Sequence, residues 1–222
     1  MKVFAYLCQD MRTVSISQLW GRAWDLFKVN WLLLVGLLVL AIIVNFIPFI
    51  GALIVGILLF PALVQAGYLV ARQGQSSFGE AFRDISLLLK VFVYYLILAL
   101  IALIPGILIG VGYILVRDSA GTGVILLLVG YILVFILNLF GWAGPYAILS
   151  GRAGIFGAIG QSFSLTAQNF GKVFLAFLSY IGLAILGAIP CGLGLLVVGP
   201  MWYVFSPLLY FALTGEEGAS HA

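Results

Sequence analysis

The residues that could do chemistry inside the apolar stretches of this sequence are few and uncharged. They are the amides Asn45, Gln65 and Asn138, together with the hydroxyl of Ser179. No Asp, Glu, Lys, Arg or His lies in the core of any apolar run. Pumps, proton-coupled carriers and voltage sensors use ionisable groups at membrane depth, so this pattern argues against those functions.

The three amides are open to two interpretations. They could line a path for a polar solute or hydrogen-bond a ligand, or they could join helices by bonding to one another and to backbone carbonyls. The hydrolase motifs Gly-x-Ser-x-Gly and His-Glu-x-x-His are missing from the sequence. Cys8 and Cys191 lack metal-ligand spacing, and the single histidine, His221, lies in the tail. We therefore predict no catalytic residue, no metal site and no cofactor.

The composition requires lipid as the solvent for most of the surface. Hydrophobic residues make up 64% of the chain and charged residues only 8%, whereas soluble domains carry about 25% charged residues. The ten Lys and Arg residues lie at segment boundaries and form no basic cluster, which argues against nucleic-acid binding. The expected partners are membrane lipids and either another membrane protein or a second copy of this chain.

The apolar runs predict an all-α fold, a polytopic transmembrane bundle of six spans, since about 20 apolar residues cross a bilayer. We divide the chain into a cytoplasmic arm over residues 1–15, one membrane domain over 16–213 and a disordered tail over 214–222. The membrane domain consists of three units, 16–72, 76–149 and 155–213, each an interfacial helix followed by a helical hairpin. An alternative is that the first hairpin re-enters the membrane without crossing it.

The three units share a short motif of aromatic, glycine, polar and small residues. It reads Trp20 to Asp25, recurs at Phe78 to Arg83 after a shift of 58, and recurs more weakly at Ile159 to Ser164 after a shift of 139. The larger shift also superimposes Pro61 on Pro200. We interpret the units as pseudosymmetric; the alternative is coincidence within a sequence of low complexity.

Aromatic and basic residues of the three interfacial segments are the predicted contacts with lipid headgroups. One interpretation is an anchoring belt, and another is a cytoplasmic collar for anionic lipid or a partner, formed with the three arginines. The residues concerned are Trp20, Arg22, Trp24, Phe78, Phe82, Arg83, Arg152 and Phe163.

The charge distribution predicts the orientation of the chain. With six spans, nine of the ten Lys and Arg residues lie on one side and only Arg117 on the other. The positive-inside rule then places both termini in the cytoplasm, in a bacterial inner membrane.

The third unit carries a family resemblance. The segment beginning Ile159-Gly-Gln-Ser-Phe-Ser, followed by a hairpin that closes at Pro200 and ends with Tyr203 and Tyr210, resembles bacterial six-span inner-membrane proteins of uncharacterised function. It is also similar to the membrane domain attached to some glycerophosphodiester phosphodiesterases, and more distantly to Yip-type proteins. The resemblance implies a membrane scaffold and transfers no catalytic residue.

Two functions follow as hypotheses. The first is a non-catalytic integral membrane protein, a scaffold, assembly factor or accessory subunit acting through its bundle surface and interfacial helices. The alternative is a passive carrier or channel for a neutral or lipidic substrate, which would use Asn45, Gln65 and Asn138 with hinges at Pro105 and Pro145.

Overall fold

The computed structural model describes residues 14–117, 119–189 and 192–216, and 85% of the chain is helical. No strand occurs in these ranges, and six helices are long and apolar enough to cross a membrane. The predicted all-α six-span class is therefore confirmed. Most of the predicted arm, both cysteines, Asp118 and the tail from residue 217, including His221, lie outside the described residues.

The helices follow the predicted order of three units. Unit one contains α1 (Ile16–Asn45), α2 (Ile50–Ile54), a π-helical turn (Val55–Leu59) and α3 (Phe60–Gln73), and α2 to α3 form one span. Unit two contains α4 (Phe78–Ala81), α5 (Ile85–Leu115), α6 (Ala120–Gly141) and α7 (Gly144–Leu149). Unit three contains α8 (Ile155–Gln168), α9 (Phe170–Ala188) and α10 (Leu195–Thr214).

The first helix begins at the predicted start of unit one, residue 16. Ser15 caps α1: its hydroxyl accepts a hydrogen bond from the backbone of Gln18, whose side chain accepts one from the backbone of Ser15. This reciprocal pair satisfies backbone donors that a helix start otherwise leaves unpaired. At Asn30 the backbone leaves helical geometry (φ −110°, ψ 15°), so a kink divides α1 into two parts.

Unit three repeats this construction in the same register. Its helix begins after Gly154, and the break falls at Asn169 (φ −123°, ψ 29°), each 139 residues beyond its counterpart in unit one. Asn30 and Asn169 also make equivalent hydrogen bonds: the side-chain amide of each donates to the backbone carbonyl four residues earlier in its own helix. The correspondence predicted between these two units therefore extends to the chemistry of the junction.

Unit two departs from the repeat. The sequence predicts an interfacial stripe from Phe78 to Leu89, but α4 is a single turn and Leu89 belongs to α5. The physical reason is Asp84, whose carboxylate accepts hydrogen bonds from the backbone of Ser86 and Leu87 and starts a new helix. The motif also lies one residue after the helix cap Ser77, rather than five residues after it as in units one and three.

The core is centred on α3 and α10. Within the most apolar window of each span, 56% of the α2–α3 span and 61% of α10 are buried, against 11% of α9. Their backbones approach closely at Gly67, where a Cβ atom would overlap the carbonyl oxygen of Tyr203. Aromatic rings fill the neighbouring space, including those of Tyr68, Tyr146 and Phe211.

The α5–α6 hairpin of unit two packs along its whole length through small residues. Gly123 lies against Val116, and Gly130 lies against the backbone at Pro105. The Tyr94 hydroxyl donates to the carbonyl of Gly141 at 2.7 Å. The helix α5 continues through Pro105, whereas Pro145 lies in the first turn of α7, after a break that ends α6.

The disordered tail is predicted to start at residue 214, but residues 214–216 are ordered in the structure. Thr214 closes α10, Gly215 adopts the left-handed conformation that ends the helix (φ 71°), and the Glu216 carboxylate pairs with Arg152. This ion pair ties the end of α10 to the loop that precedes α8.

Candidate functional site

The three intramembrane amides lie in different environments. Asn45 is exposed at the last residue of α1, and Asn138 is exposed on the outer surface of α6. Only Gln65 is buried, with 5% of its surface accessible. The structure therefore does not bring the three side chains together, and Gln65 alone faces the interior.

Gln65 carries an unsatisfied acceptor. Its Nε2 donates a long hydrogen bond of 3.4 Å to the backbone carbonyl of Glu80, while its Oε1 is buried and has no partner among the described residues. Exchanging the two amide atoms would direct Oε1 at that carbonyl, so one polar atom stays unpaired in either orientation. A buried acceptor without a donor costs about 1–3 kcal/mol, which a bound donor could offset.

A cavity adjoins this side chain between the end of α3 and α4. Its volume is about 280 Å³, close to the lower end of the ~300–1,000 Å³ typical of small-molecule sites. We call it the polar cavity. It is lined by Gln65, Leu69, Gln73, Glu80, Arg83 and Asp84.

Local hydrogen bonds orient the two carboxylates of the polar cavity. Glu80 Oε2 accepts from the backbone N–H of Ser77 at 2.9 Å, which completes the cap of α4. Asp84 Oδ1 accepts from Ser86 Oγ at 2.8 Å and from the backbone of Leu87. These bonds, with Ser86 Oγ the largest contributor, lower the pKa of the Asp84 carboxyl below its ordinary value, so it is ionised at neutral pH.

The loop behind the polar cavity is secured by Asn30. This buried side chain donates to the carbonyl of Gly74 at 3.0 Å and accepts from the backbone N–H of Ser76 at 3.2 Å. It therefore fixes the turn that joins α3 to α4. Our sequence analysis did not select Asn30; the available signal was its recurrence at Asn169, the junction of unit three.

The predicted headgroup residues divide into packed and exposed groups. Trp20 is used inside the bundle, because its indole N–H donates to Ser179 at 2.8 Å and its ring stacks on Phe205 with centroids 3.9 Å apart. Phe82 is half-buried against the core. The exposed members are Trp24, Phe78 and Phe163. For these, contact with lipid headgroups stays a prediction.

The three arginines of the predicted collar have different surroundings. Arg83 borders the polar cavity, and Arg152 pairs with Glu216. Arg22 is half-buried on the first half of α1. Arg83 and Arg152 therefore lie in different surroundings, and the collar stays a prediction.

A second, apolar groove of about 400 Å³ changes the expected placement of unit one. It is lined by Phe27, Lys28, Trp31, Val35, Leu193, Leu196 and Val197. The predicted topology puts Lys28 on the cytoplasmic side and the start of α10 on the opposite side, whereas Lys28 and Leu193 line the same groove. The first half of α1 does not lie flat at one end: it runs antiparallel along α10, with Trp20 at Phe205 and Lys28 near Leu193.

No group of three His, Cys, Asp or Glu side chains that could hold a metal occurs within the part of the chain that the structure describes. The chain was also compared with known proteins. No family model matches it, and no curated protein or solved structure matches it either. The resemblance to six-span inner-membrane families therefore stays a prediction.

Proposed function

We propose that this chain is a non-catalytic membrane protein that acts as a scaffold or accessory subunit by binding another membrane-embedded chain along its α5–α6 hairpin. The observation that carries the proposal is the position of Asn138. This amide lies on the exposed surface of the Ala120–Leu149 span, where a soluble partner could not reach it.

The hydrogen bonds of Asn138 are incomplete within the chain. Its Nδ2 donates to the carbonyl of Val134 on its own helix at 2.8 Å, and its Oδ1 has no hydrogen-bond partner among the described residues. Hydrocarbon offers no donor, so an amide at this depth favours contact with a polar group of a neighbouring helix. Exposed apolar residues alone would not support this argument, because lipid covers them equally well.

A second polar pair lies on the same hairpin. Tyr113 of α5 and Tyr131 of α6 are both exposed, and their hydroxyls are hydrogen-bonded at 2.9 Å. Each hydroxyl can make a further bond. The α5 and α6 spans are only 17% buried in their most apolar windows, so the hairpin has the free surface that a partner helix needs.

The same positions weaken the carrier hypothesis. A path for a polar solute needs polar side chains that face a shared interior, and two of the three amides assigned to such a path face outward. Gln65 contacts the backbone of Glu80 at the end of its span. These placements support a role at the surface of the bundle.

The test is native mass spectrometry of the protein extracted from its own membrane, comparing wild type with Asn138→Leu. We expect wild type to occur in a defined assembly, either with a second chain or with another protein. Loss of one interhelical hydrogen bond of about 0.6–2 kcal/mol should weaken the assembly roughly 3- to 30-fold. Ile136→Leu, an exposed apolar change on the same helix, is the matched control.

Two results would contradict the proposal. One is a wild-type protein that is monomeric in every mild extraction. The other is an assembly whose stability is the same in the Asn138→Leu and Ile136→Leu variants.

A further inference from the structure

We propose that the polar cavity binds a primary ammonium group carried next to a phosphate, the chemistry of an ethanolamine phospholipid headgroup. This inference is independent of the proposed protein partner at Asn138. It starts from the buried, unpartnered Oε1 of Gln65, which can only accept a hydrogen bond and therefore requires a donor from the ligand.

The charges of the polar cavity specify the rest of the ligand. Glu80 and Asp84 supply two carboxylates, and Arg83 supplies one guanidinium. An ammonium has three N–H donors, which match the amide oxygen of Gln65 and the two carboxylates. A guanidinium matches phosphate geometry, so Arg83 is placed to pair with the adjoining phosphate.

The position of the polar cavity fits a headgroup better than a whole lipid. Its charged residues lie in the segment between two candidate spans, Ile50–Gln73 and Ile85–Leu115, where the chain leaves the hydrocarbon. The volume of about 280 Å³ suits a small polar group. Leu69 is the only apolar lining residue, so acyl chains would remain outside along the bundle surface.

The carboxylates are already oriented for this ligand. Glu80 completes the capping box that Ser77 begins at α4, Asp84 caps α5, and the hydrogen bonds of both carboxylates to backbone N–H groups restrict their rotation. Binding therefore loses little side-chain entropy at these two positions. The Asn30 contacts with Gly74 and Ser76 fix the loop that carries them.

The test uses the full-length chain in detergent and compares three lipids by native mass spectrometry. Phosphatidylethanolamine carries the ammonium and the phosphate. Phosphatidylcholine has the same charges but no N–H donor for Gln65, and phosphatidylglycerol has no cation for the carboxylates. We expect wild type to retain phosphatidylethanolamine at least about tenfold better than the other two, the value of one charge-assisted hydrogen bond.

Two variants connect lipid binding to the polar cavity. Gln65→Met keeps the side-chain volume but removes the amide, so it should lose the preference. Arg83→Gln removes the partner of the phosphate, which the three lipids share, so it should weaken the retention of all three. Gln65→Met should leave the unfolding temperature unchanged or raise it, because it removes a buried unpaired acceptor. A merely structural role for Gln65 would lower it. Arg117→Gln, the same loss of charge at an exposed residue in another loop, is the control.

A competition experiment with free phosphoethanolamine distinguishes a lipid headgroup from a soluble ligand of the same chemistry. Displacement of phosphatidylethanolamine by free phosphoethanolamine would support the headgroup assignment. Binding of phosphoethanolamine without any lipid preference would support the same chemistry with a soluble ligand. Equal retention of the three lipids with no phosphoethanolamine binding would overturn the proposal, as would a folded Gln65→Met variant that keeps the preference. If that variant does not fold, Asp84→Asn removes one carboxylate partner of the ammonium at an exposed residue and makes the same comparison.

Discussion

At the residue scale, single side-chain amides make several of the hydrogen bonds that join segments of this protein, because the interior contains few other polar groups. Asn30 is the clearest case. It bonds to its own helix at Leu26 and across the chain at Gly74 and Ser76, whereas Asn169 makes only the same-helix bond among the contacts described. Asn169 marks a helix junction only, whereas Asn30 marks a helix junction and also holds the loop after α3, so comparing the two isolates the contribution of the loop contacts.

We predict that Asn30→Ala destabilises the protein more than Asn169→Ala does. The first change removes the two hydrogen bonds to the Gly74–Ser76 loop, about 1 kcal/mol each, in addition to the same-helix bond that both asparagines make. Asn30→Ala should therefore lower the free energy of unfolding by about 2 kcal/mol more than Asn169→Ala. The free energy of unfolding, measured by SDS titration from mixed micelles, provides the comparison. Equal losses in the two variants would show that the contacts with Gly74 and Ser76 contribute nothing.

The sequence was informative about which polar residues matter and less so about what surrounds them. Gln65 was selected because an amide in an apolar run needs a partner. Its partner, the backbone of Glu80, follows from how the chain turns back after α3, and periodicity carries no information about that turn. For Asn45 and Asn138 the sequence leaves both a solute path and helix packing open, because a one-dimensional pattern cannot distinguish an inward from an outward face on a helix that is apolar all round.

At the element scale, the close packing of α3 on α10 depends on a glycine, which has no side chain, at the point of contact. Gly67 allows the backbone of α10 to approach at Tyr203, and the adjacent Ala66 and Tyr68 are also buried. Small residues at helix interfaces permit this kind of contact in membranes, where close packing replaces the hydrophobic effect between helices.

Gly67→Ala should be strongly destabilising for this reason. The added methyl group would overlap a backbone carbonyl, which cannot move aside by changing rotamer, so we expect a loss at or above the upper end of the usual 1–3 kcal/mol for overpacking. The same unfolding titration measures it. The control is Gly171→Ala on α9, where the added Cβ meets no atom within 4 Å and stability should be unchanged or slightly higher. Similar losses in both variants would contradict the close approach.

The starts of α1 and α8, Ile16 and Ile155, agree with the predicted starts of units one and three, because the onset of apolar periodicity is a local signal. The kink at Asn30 was not predicted. Unit two was predicted less well, since the apolar spacing from Phe78 to Leu89 continues past the end of α4 at Ala81 and past Asp84, which starts α5. Local hydrogen bonding by an Asp side chain there outweighed the apolar periodicity.

At the scale of the whole molecule, six spans are supported by helix length and composition, and the orientation in the membrane is a prediction from charge. The groove that joins Lys28 to Leu193 shows why the charge pattern needs a direct test. It brings one cation of the predicted cytoplasmic side beside the start of α10. The count of crossings nevertheless governs where the polar cavity and Asn138 lie relative to lipid.

The most direct test of the account is labelling of introduced cysteines with a membrane-impermeant reagent, in a chain whose Cys8 and Cys191 are replaced by serine. Gln75→Cys and Gly151→Cys should be reached from the cytoplasmic face in inverted vesicles, and Ser119→Cys only from the opposite face. Labelling of Gln75→Cys and Ser119→Cys from the same face would contradict the six-span arrangement and the membrane depth assigned to Asn138.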